Sequence, residues 1–447
     1  MDSNWISTFI RKATSVGAVN IADRAAAIGL GVFLARILAP EGYGAYAFVM
    51  SQVTIVALLA KLGLPELILR DFAASRGREQ AGVPARLLRI AIMLASSASL
   101  ILIAVGFVLI SLFYDGPNVT LYLLGLLMIA PMALFEIYAG ALRGLGYVVT
   151  FQLLTTLCLT LLVFLASVGY FLGFGEFSAF DALAIRIAVL LALLAMSVAI
   201  VTRAMKGRDN PTETSPSDLS DRPSSSATLR TSLSFLVIGV LHVVFVTIDQ
   251  LMLGYMVGES AVAIFKVAAE GAQIVAFAYV AGNAVLAPEY SRIFSSRDMG
   301  LLEKTAQQSA AIVLVIAVPL FLVIFSFAKP IVTFAFGDAY AASASPLSIL
   351  ALGHFLALLF GDPLYILNMT GHHRASMRLT IIAVAVNIAL NAMAIPQFGV
   401  TGAAIATTFS FVLLRFMAYF YVRSLLGIEC SAISGLNQVR KMGIRRG

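Results

Sequence analysis

Long runs of apolar residues, each about the length of a membrane-spanning helix, fill most of the chain after residue 15. A helix of roughly 20 apolar residues crosses the hydrocarbon core, and it satisfies its own backbone hydrogen bonds there. Short basic or Gly/Pro-containing breaks separate the runs. The pattern predicts about twelve spans, at 16–39, 44–64, 87–113, 119–142, 149–173, 181–202, 233–257, 267–288, 309–328, 344–369, 378–396 and 399–422.

The composition agrees with this pattern. Of the 447 residues, 60% are hydrophobic and only 12% are charged, and the mean hydropathy is +0.95. An ordinary soluble domain carries roughly 25% charged residues. The two cysteines, Cys158 and Cys430, are too far apart in sequence to suggest a metal cluster. We therefore expect an all-α integral membrane protein without a metal or other cofactor.

The positive charges lie mostly in alternate connections between the predicted spans. The net charge of +7 is therefore a topology signal and gives no reason to expect a nucleic-acid partner. If the N-terminus is cytoplasmic, the inner connections hold most of the arginines, while the outer ones hold little beyond Lys266, Lys329 and Arg36. This asymmetry predicts that both termini are cytoplasmic. Residues 1–15, which mix apolar and basic positions, predict an interfacial segment.

A Ser/Pro/Asp/Thr-rich stretch at 206–230 has almost no large apolar side chains and predicts a flexible cytoplasmic linker. It separates a first six-helix bundle, 16–205, from a second, 231–425, and a basic cytoplasmic tail follows at 426–447. The halves are loosely similar, because the pattern of LARILAPEGYGAYAF (34–48) recurs in LGYMVGESAVAIFKV (253–267). This favours two parallel repeats around a central cleft.

The segment LARILAPEGYGAYAFVMSQVTIVALLAKLGLPELILRDFA (34–73) closely resembles the start of prokaryotic polysaccharide-export flippases of the multidrug/oligosaccharidyl-lipid/polysaccharide superfamily. Further blocks that resemble this family lie at 248–271, 285–294, 336–353 and 367–378. The resemblance implies that the first and seventh helices line the cleft, so that Asp23, Arg24, His242 and Asp249 border the transport path. These residues are carried over by position and not by a matched motif.

A charged side chain at bilayer depth costs at least roughly 2.5 to 3.5 kcal/mol, so each one should face a partner or a water-filled cavity. Arg24 and Arg415 are candidates for binding phosphate on a lipid carrier, because guanidinium geometry suits phosphate oxygens. The alternative is a buried ion pair, such as Asp23 or Glu136 with an arginine. The candidate cleft residues are Asp23, Arg24, Glu136, Arg186, His242, Asp249, Glu270 and Arg415.

Three of the acidic residues, Asp249, Glu270 and Asp362, are candidates for coupling to a proton or sodium ion, although their spacing is not diagnostic of a metal site. Asn387 and Asn391, four residues apart, favour bonds between helices over ligand binding. His242 and His354 favour hydrogen-bonded core roles over proton relays.

The function predicted is a flippase that translocates a lipid-linked oligosaccharide across the cytoplasmic membrane of a bacterium by alternating access. Its partners would be that glycolipid, membrane lipids, a coupling cation and other polysaccharide-assembly proteins. An ion-coupled exporter of cationic drugs, from the same superfamily, is the first alternative, although the intramembrane arginines favour an anionic substrate. A membrane-embedded polysaccharide polymerase or ligase is the second, and the short outer connections disfavour it. We expect no enzymatic activity.

Overall fold

The computed structural model describes residues 3–75, 82–113, 116, 118–206 and 225–437, and its regular elements there are all helices. This confirms the all-α prediction. The α-helices are α1 (Ser3–Ala60), α2 (Leu64–Ser75), α3 (Gly82–Phe113), α4 (Val119–Gly144), α5 (Val148–Gln152), α6 (Leu159–Phe174), α7 (Ala179–Lys206), α8 (Ser225–Met256), α9 (Glu259–Ser295), α10 (Met299–Ser326), α11 (Ala328–Phe336), α12 (Ala344–Leu359), α13 (Pro363–Met369) and α14 (His373–Leu426). A π-helix, Leu153–Cys158, joins α5 to α6, and a 3-10 helix, Asp338–Ser343, precedes α12.

The two longest helices are each broken once by a residue with positive φ. In α1 the break is at Ala39 (φ 54°), directly before Pro40, whose ring disfavours the α-helical conformation at the preceding residue. In α14 the break is at Gly399 (φ 55°), shortly after Pro396. Both breaks lie where one predicted span ends and the next begins.

The described helices present apolar surface that water would not cover favourably. Eight of the described helices are long and apolar enough to cross a membrane, counting α1 and α14 once each. Large apolar side chains project outward from them, including Phe113 (81% exposed) and Leu172 (78%). Because exposed apolar patches of this extent mark contact with lipid, the chain is a multi-pass membrane protein. Residues 207–224 of the predicted linker lie outside the described residues.

The chain divides into two compact units. Unit 1 comprises Met1–Leu38 and Ala45–Val244, and unit 2 comprises Ala39–Gly44 and Phe245–Gly447. The division after Val244 falls within α8. The short segment around Pro40 therefore belongs to unit 2, although the helical segments on either side of it belong to unit 1.

In unit 1, close packing of α2 on α4 depends on two glycines. A Cβ atom at Gly140 would lie 2.4 Å from the Pro65 carbonyl oxygen, and one at Gly144 would lie 2.5 Å from Phe72 Cβ. Leu67 and Phe72 of α2 are fully buried against this surface. The spacing of the two glycines on one face of α4 lets the α2 backbone approach to contact distance.

In unit 2, the residues around the break in α1 and the segment after α14 are packed into the core. Tyr43 is buried edge-to-face on Tyr340, with ring centroids 6.5 Å apart. After α14 the chain folds back, so that Ile428 and Cys430 are buried in a cluster with residues of α9, α10 and α13. Burial raises the pKa of the Cys430 thiol to about 12, so this cysteine stays a protonated core residue. Residues 438–447 of the predicted basic tail lie outside the described residues.

We predict that Gly140→Leu destabilises the protein, because the added side chain must push the α2 backbone away from α4. Overpacking of this kind costs roughly 1–3 kcal/mol. The matched control is Gly169→Leu in α6, where a Cβ atom meets nothing within 4 Å. Thermal unfolding in detergent should give a lower melting temperature for Gly140→Leu alone. Equal melting temperatures for the two variants would contradict the packing role.

Candidate functional site

In unit 1, the carboxylate of Glu136 on α4 accepts a hydrogen bond from the ammonium group of Lys61, which lies in the turn after α1. Both side chains are partly buried. The sequence suggested an arginine as an alternative partner for Glu136. The partner is instead Lys61, at the end of a predicted span, which the sequence pattern did not single out. This pairing gives Glu136 a role in joining α4 to the end of α1.

Asp23 and Arg24 lie together on α1, and both side chains are partly buried. The Oδ1 atom of Asp23 is buried and accepts no hydrogen bond within the described part of the chain. One turn earlier, Asn20 Oδ1 accepts a hydrogen bond from Gln152 Nε2 at 2.6 Å. The first part of α1 therefore carries polar groups at positions 20, 23 and 24, and Asn20 contacts the end of α5.

Arg186 on α7 donates a hydrogen bond from Nη1 to the Tyr46 hydroxyl at 3.2 Å. Both residues belong to unit 1 and are separated by 140 positions in the sequence. Tyr46 was not among the predicted site residues, since a single tyrosine in an apolar helix gives no signal of its partner. The bond ties the second part of α1 to α7.

In unit 2, Asp249 is almost fully buried, at 2% exposure, among polar side chains of α14. Its Oδ1 atom accepts hydrogen bonds from Asn391 at 2.5 Å and Asn387 at 3.3 Å. Thr407 also contacts the carboxylate. The two asparagines do bond one helix to another, as their spacing suggested, and they do so at a candidate site residue.

The Oδ1 atom of Asn391 is a further buried acceptor in this cluster, and no described group donates to it. Asn387 Oδ1 accepts from Asn391 Nδ2 at 3.2 Å. A carboxylate, two amides and a hydroxyl thus converge in a site shielded from water. Oxygen atoms of these kinds are the ligands that hard cations prefer.

Asp362 and Arg415 form a buried ion pair in unit 2, with 2.8 Å between Oδ1 and Nη1 and side-chain exposures of 7% and 8%. The carboxylate also caps α13 by accepting from the Tyr365 backbone N–H at 3.3 Å. The guanidinium lies 5.6 Å from the centre of the Phe411 ring. Two predicted site residues, one from the cleft set and one from the coupling set, therefore bind each other.

Glu270 contacts Lys266 one turn earlier on α9, at 3.2 Å. The two residues are four positions apart, so they lie on the same face of the helix. The side chain of His242 lies outside the described residues. Among the side chains that are described, no group of three His, Cys, Asp or Glu residues converges as a metal site would require. A site such as that of Asp249, built with amide and hydroxyl oxygens, is of a different type.

We predict that Arg415→Met lowers stability strongly, because it removes the cation beside a buried carboxylate. Breaking a buried pair by removing one partner costs roughly 3–5 kcal/mol. The double variant Asp362→Asn/Arg415→Met should recover part of the loss, and Arg203→Met, at an exposed position, should melt like the wild type. A wild-type melting temperature for Arg415→Met would contradict the structural role of the pair.

The fold is similar to those of solved transporters. An inward-facing multidrug resistance MATE family transporter of the MOP superfamily aligns with a TM-score of 0.72 at 16% identity, covering 93% of this chain and 98% of that one. The lipid II flippase MurJ in an inward closed conformation aligns with a TM-score of 0.68 at 12% identity, covering 91% and 87%. At these identities the likeness establishes the MATE/MurJ-like fold alone.

Two curated relatives are similar over part of the chain. An uncharacterized membrane protein of Methanocaldococcus jannaschii is 27% identical over 180 residues, and a probable low-salt glycan biosynthesis flippase of Haloferax volcanii is 27% identical over 184 residues. Each alignment covers 40% of this chain, and the chain spans only 36% and 38% of the respective relatives.

Two family models match the sequence. The MatE model matches residues 236–393. The model described as polysaccharide biosynthesis protein matches residues 9–294, more than half of the chain. The chain belongs to the polysaccharide biosynthesis protein family.

Proposed function

We propose that the chain is a flippase that moves a lipid-linked oligosaccharide or a related glycolipid across the cytoplasmic membrane. The observation that carries this proposal is the family match over residues 9–294 in a chain whose fold resembles that of a lipid II flippase. The Haloferax relative, described as a probable flippase in glycan biosynthesis, supports it. The step would belong to the synthesis of a cell-surface polysaccharide, and it would proceed by alternating access without covalent chemistry.

The intramembrane polar groups support transport of a polar head group. A sugar phosphate cannot cross the hydrocarbon core unless polar groups replace its water. Of the predicted cleft residues, Glu136 and Arg415 are held in ion pairs with Lys61 and Asp362. Asp23 and Arg24 are partly exposed and lie on the first predicted span. We assign head-group contact to these two by their position on that span, and a structural role to Glu136 and Arg415, which join elements distant in sequence.

Arg24 would bind the phosphate or pyrophosphate of the carrier lipid. Its guanidinium group offers donors in a planar fork that suits phosphate oxygens. We predict that Arg24→Ala slows glycolipid translocation about tenfold or more, since a hydrogen bond to a charged group contributes roughly 1.5–3 kcal/mol. The measurement is the fraction of a fluorescent polyprenyl-pyrophosphoryl oligosaccharide that becomes accessible across reconstituted vesicles over time.

The matched control for this assay is Arg203→Ala, which removes an exposed arginine near the end of α7 and should leave the rate unchanged. Equal rates for Arg24→Ala and wild type would remove Arg24 from the site. A wild-type protein that moves no glycolipid but exports cationic dyes would overturn the flippase proposal. That outcome would favour the drug exporter, the alternative supported by the MatE match and the MATE-like fold.

We also propose that Asp249 couples transport to a monovalent cation. Of the three predicted coupling residues, Glu270 contacts a lysine and Asp362 an arginine. Asp249 instead faces the amides of Asn387 and Asn391, and amide groups can turn their oxygens toward a cation. A bound sodium ion or proton would supply the positive charge that a buried carboxylate otherwise lacks.

This coupling proposal predicts that sodium chloride or acidic pH raises the melting temperature of the wild type, because a ligand that binds only the folded state stabilises it. Asp249→Asn should lose the response. The control Asp298→Asn changes an exposed carboxylate that caps α10, and it should keep the response even if its own melting temperature is lower. A full response in Asp249→Asn would exclude this residue from coupling.

A further inference from the structure

Two amide side chains in unit 1, Asn20 of α1 and Gln152 at the end of α5, have no assigned role. They are joined by the 2.6 Å hydrogen bond from Gln152 Nε2 to Asn20 Oδ1. Both are only partly buried, so the pair is accessible to a bound molecule. Each amide carries two N–H donors and a carbonyl acceptor, and one donor and one acceptor are used in their mutual bond. The remaining donors and acceptors have the capacity to bind a ligand.

The backbone directly after Gln152 is a π-helix, Leu153–Cys158, an element that is rare and often found at functional sites. The hydroxyl groups of Thr155 and Thr156 donate to the carbonyls of Phe151 and Gln152, at 2.8 and 2.5 Å. These bonds satisfy backbone carbonyl groups at the start of the π-helix. The threonine hydroxyl protons are therefore engaged internally, whereas the two amides keep unused donors and acceptors.

The π-helix changes which side chains face α1. Gln152, before the wide turn, contacts Asn20, and Phe164, after it, packs near Gly29 and 6.2 Å from the Phe33 ring. In a regular α-helix, residues twelve positions apart point about 120° away from each other, at about 100° per residue. A π turn rotates less per residue, because each bond spans five residues instead of four. It therefore allows a polar and an aromatic residue of one segment to face the same neighbouring helix.

Asp23 is a third polar residue beside Asn20 and Gln152. It lies three residues after Asn20, which places both on one face of α1. Its Oδ1 atom is buried and receives no donor from the described side chains or backbone. A carboxylate oxygen that lacks a donor repels phosphate but accepts readily from a hydroxyl group. The group therefore suits the neutral, hydroxyl-rich part of a head group better than its phosphate.

We infer that Asn20, Asp23 and Gln152 form a recognition site for sugar hydroxyls, and that Asn20 and Gln152 determine which sugars the protein accepts. A sugar hydroxyl both donates and accepts, so adjacent hydroxyls can bind the carboxylate and the amide pair together. This inference rests on the proposed function, since it assigns part of the same head-group site. The substrate class it names is a lipid-linked sugar with adjacent free hydroxyls next to the carrier phosphate.

A purely structural role would need less than this arrangement. A hydrogen bond between two membrane helices contributes about 0.6 kcal/mol on average, and the amide pair alone could supply it. Such a role explains neither the unsatisfied Oδ1 of Asp23 nor the accessibility of both amides. The two roles make different predictions, because only recognition discriminates between ligands that differ in their hydroxyl groups.

The test compares the binding of two probes to the detergent-solubilised full chain: a polyprenyl-pyrophosphoryl disaccharide, and the same molecule with its sugar hydroxyls methylated. Methyl ethers accept hydrogen bonds but cannot donate them. The wild type should bind the free-hydroxyl probe about tenfold more tightly, as expected for one or two hydrogen bonds. In Gln152→Leu and in Asn20→Ala, the ratio of the two affinities should fall towards one. Their affinity for the methylated probe should stay at the wild-type value.

Gln397→Leu makes the same chemical change at an exposed position and should keep the wild-type preference. Two results from the variants would overturn the inference. One is a wild-type preference in both Asn20→Ala and Gln152→Leu. The other is that both variants lose affinity equally for the two probes and melt at a lower temperature. That result would show that the two amides have only a structural role. A wild type that binds neither probe would overturn the proposed function and this inference with it. A wild type that translocates the glycolipid without any preference would overturn the inference alone.

Discussion

The cost of placing a charge inside an apolar helix is the constraint on which the rest of this structure depends. At bilayer depth a charged side chain costs several kcal/mol unless it meets a partner. Glu136 meets Lys61, and Asp362 meets Arg415. Asp249 meets neutral amides instead of a cation. In the first two pairs the opposite charges neutralise each other and hold helices together. The carboxylate of Asp249 has no cation beside it among these contacts, and a bound cation can neutralise it.

The same constraint organises the packing. Lipid offers no hydrophobic drive between helices, so close backbone approach and polar bonds must hold them together. Gly140 and Gly144 let α2 approach α4, and Lys61 and Glu136 join the neighbouring elements in the same unit. In unit 2, a Cβ atom at Gly361 would lie 2.0 Å from the Cys430 carbonyl oxygen, beside the Asp362–Arg415 pair. Charged pairs and glycine contacts thus occur side by side.

Much of the fold follows from local sequence. The length of the apolar runs predicts the helices, and Pro40 and Pro396 lie where α1 and α14 break. Family membership also follows from local blocks of residues. Within the site, the spacing of Lys266 and Glu270 predicts their contact, because helical neighbours four apart must meet.

Partners that are distant in the chain could not be predicted. Glu136 is 75 positions from Lys61, and Arg415 is 53 from Asp362, so only the packing of helices brings each pair together. The π-helix after Gln152 also gives no signal in composition or periodicity. The functional roles of the site residues stay predictions. The structure separates the residues in closed ion pairs from Asp249, which faces two amides, and from Asp23, whose Oδ1 has no described donor.

We propose that these two classes of intramembrane polar group differ in purpose: closed ion pairs stabilise the fold, whereas the amide and carboxylate clusters serve transport. The most direct measurement is melting temperature and glycolipid translocation rate, determined together for single variants of Lys61, Glu136, Asp362 and Arg415 and of Asn20, Asp23, Gln152 and Asp249. The account predicts that variants of the first four lose stability and transport in proportion, and that variants of the second four lose transport at near wild-type stability. If translocation rate fell in proportion to melting temperature in the variants at all eight positions, the proposed difference between the two classes would be contradicted.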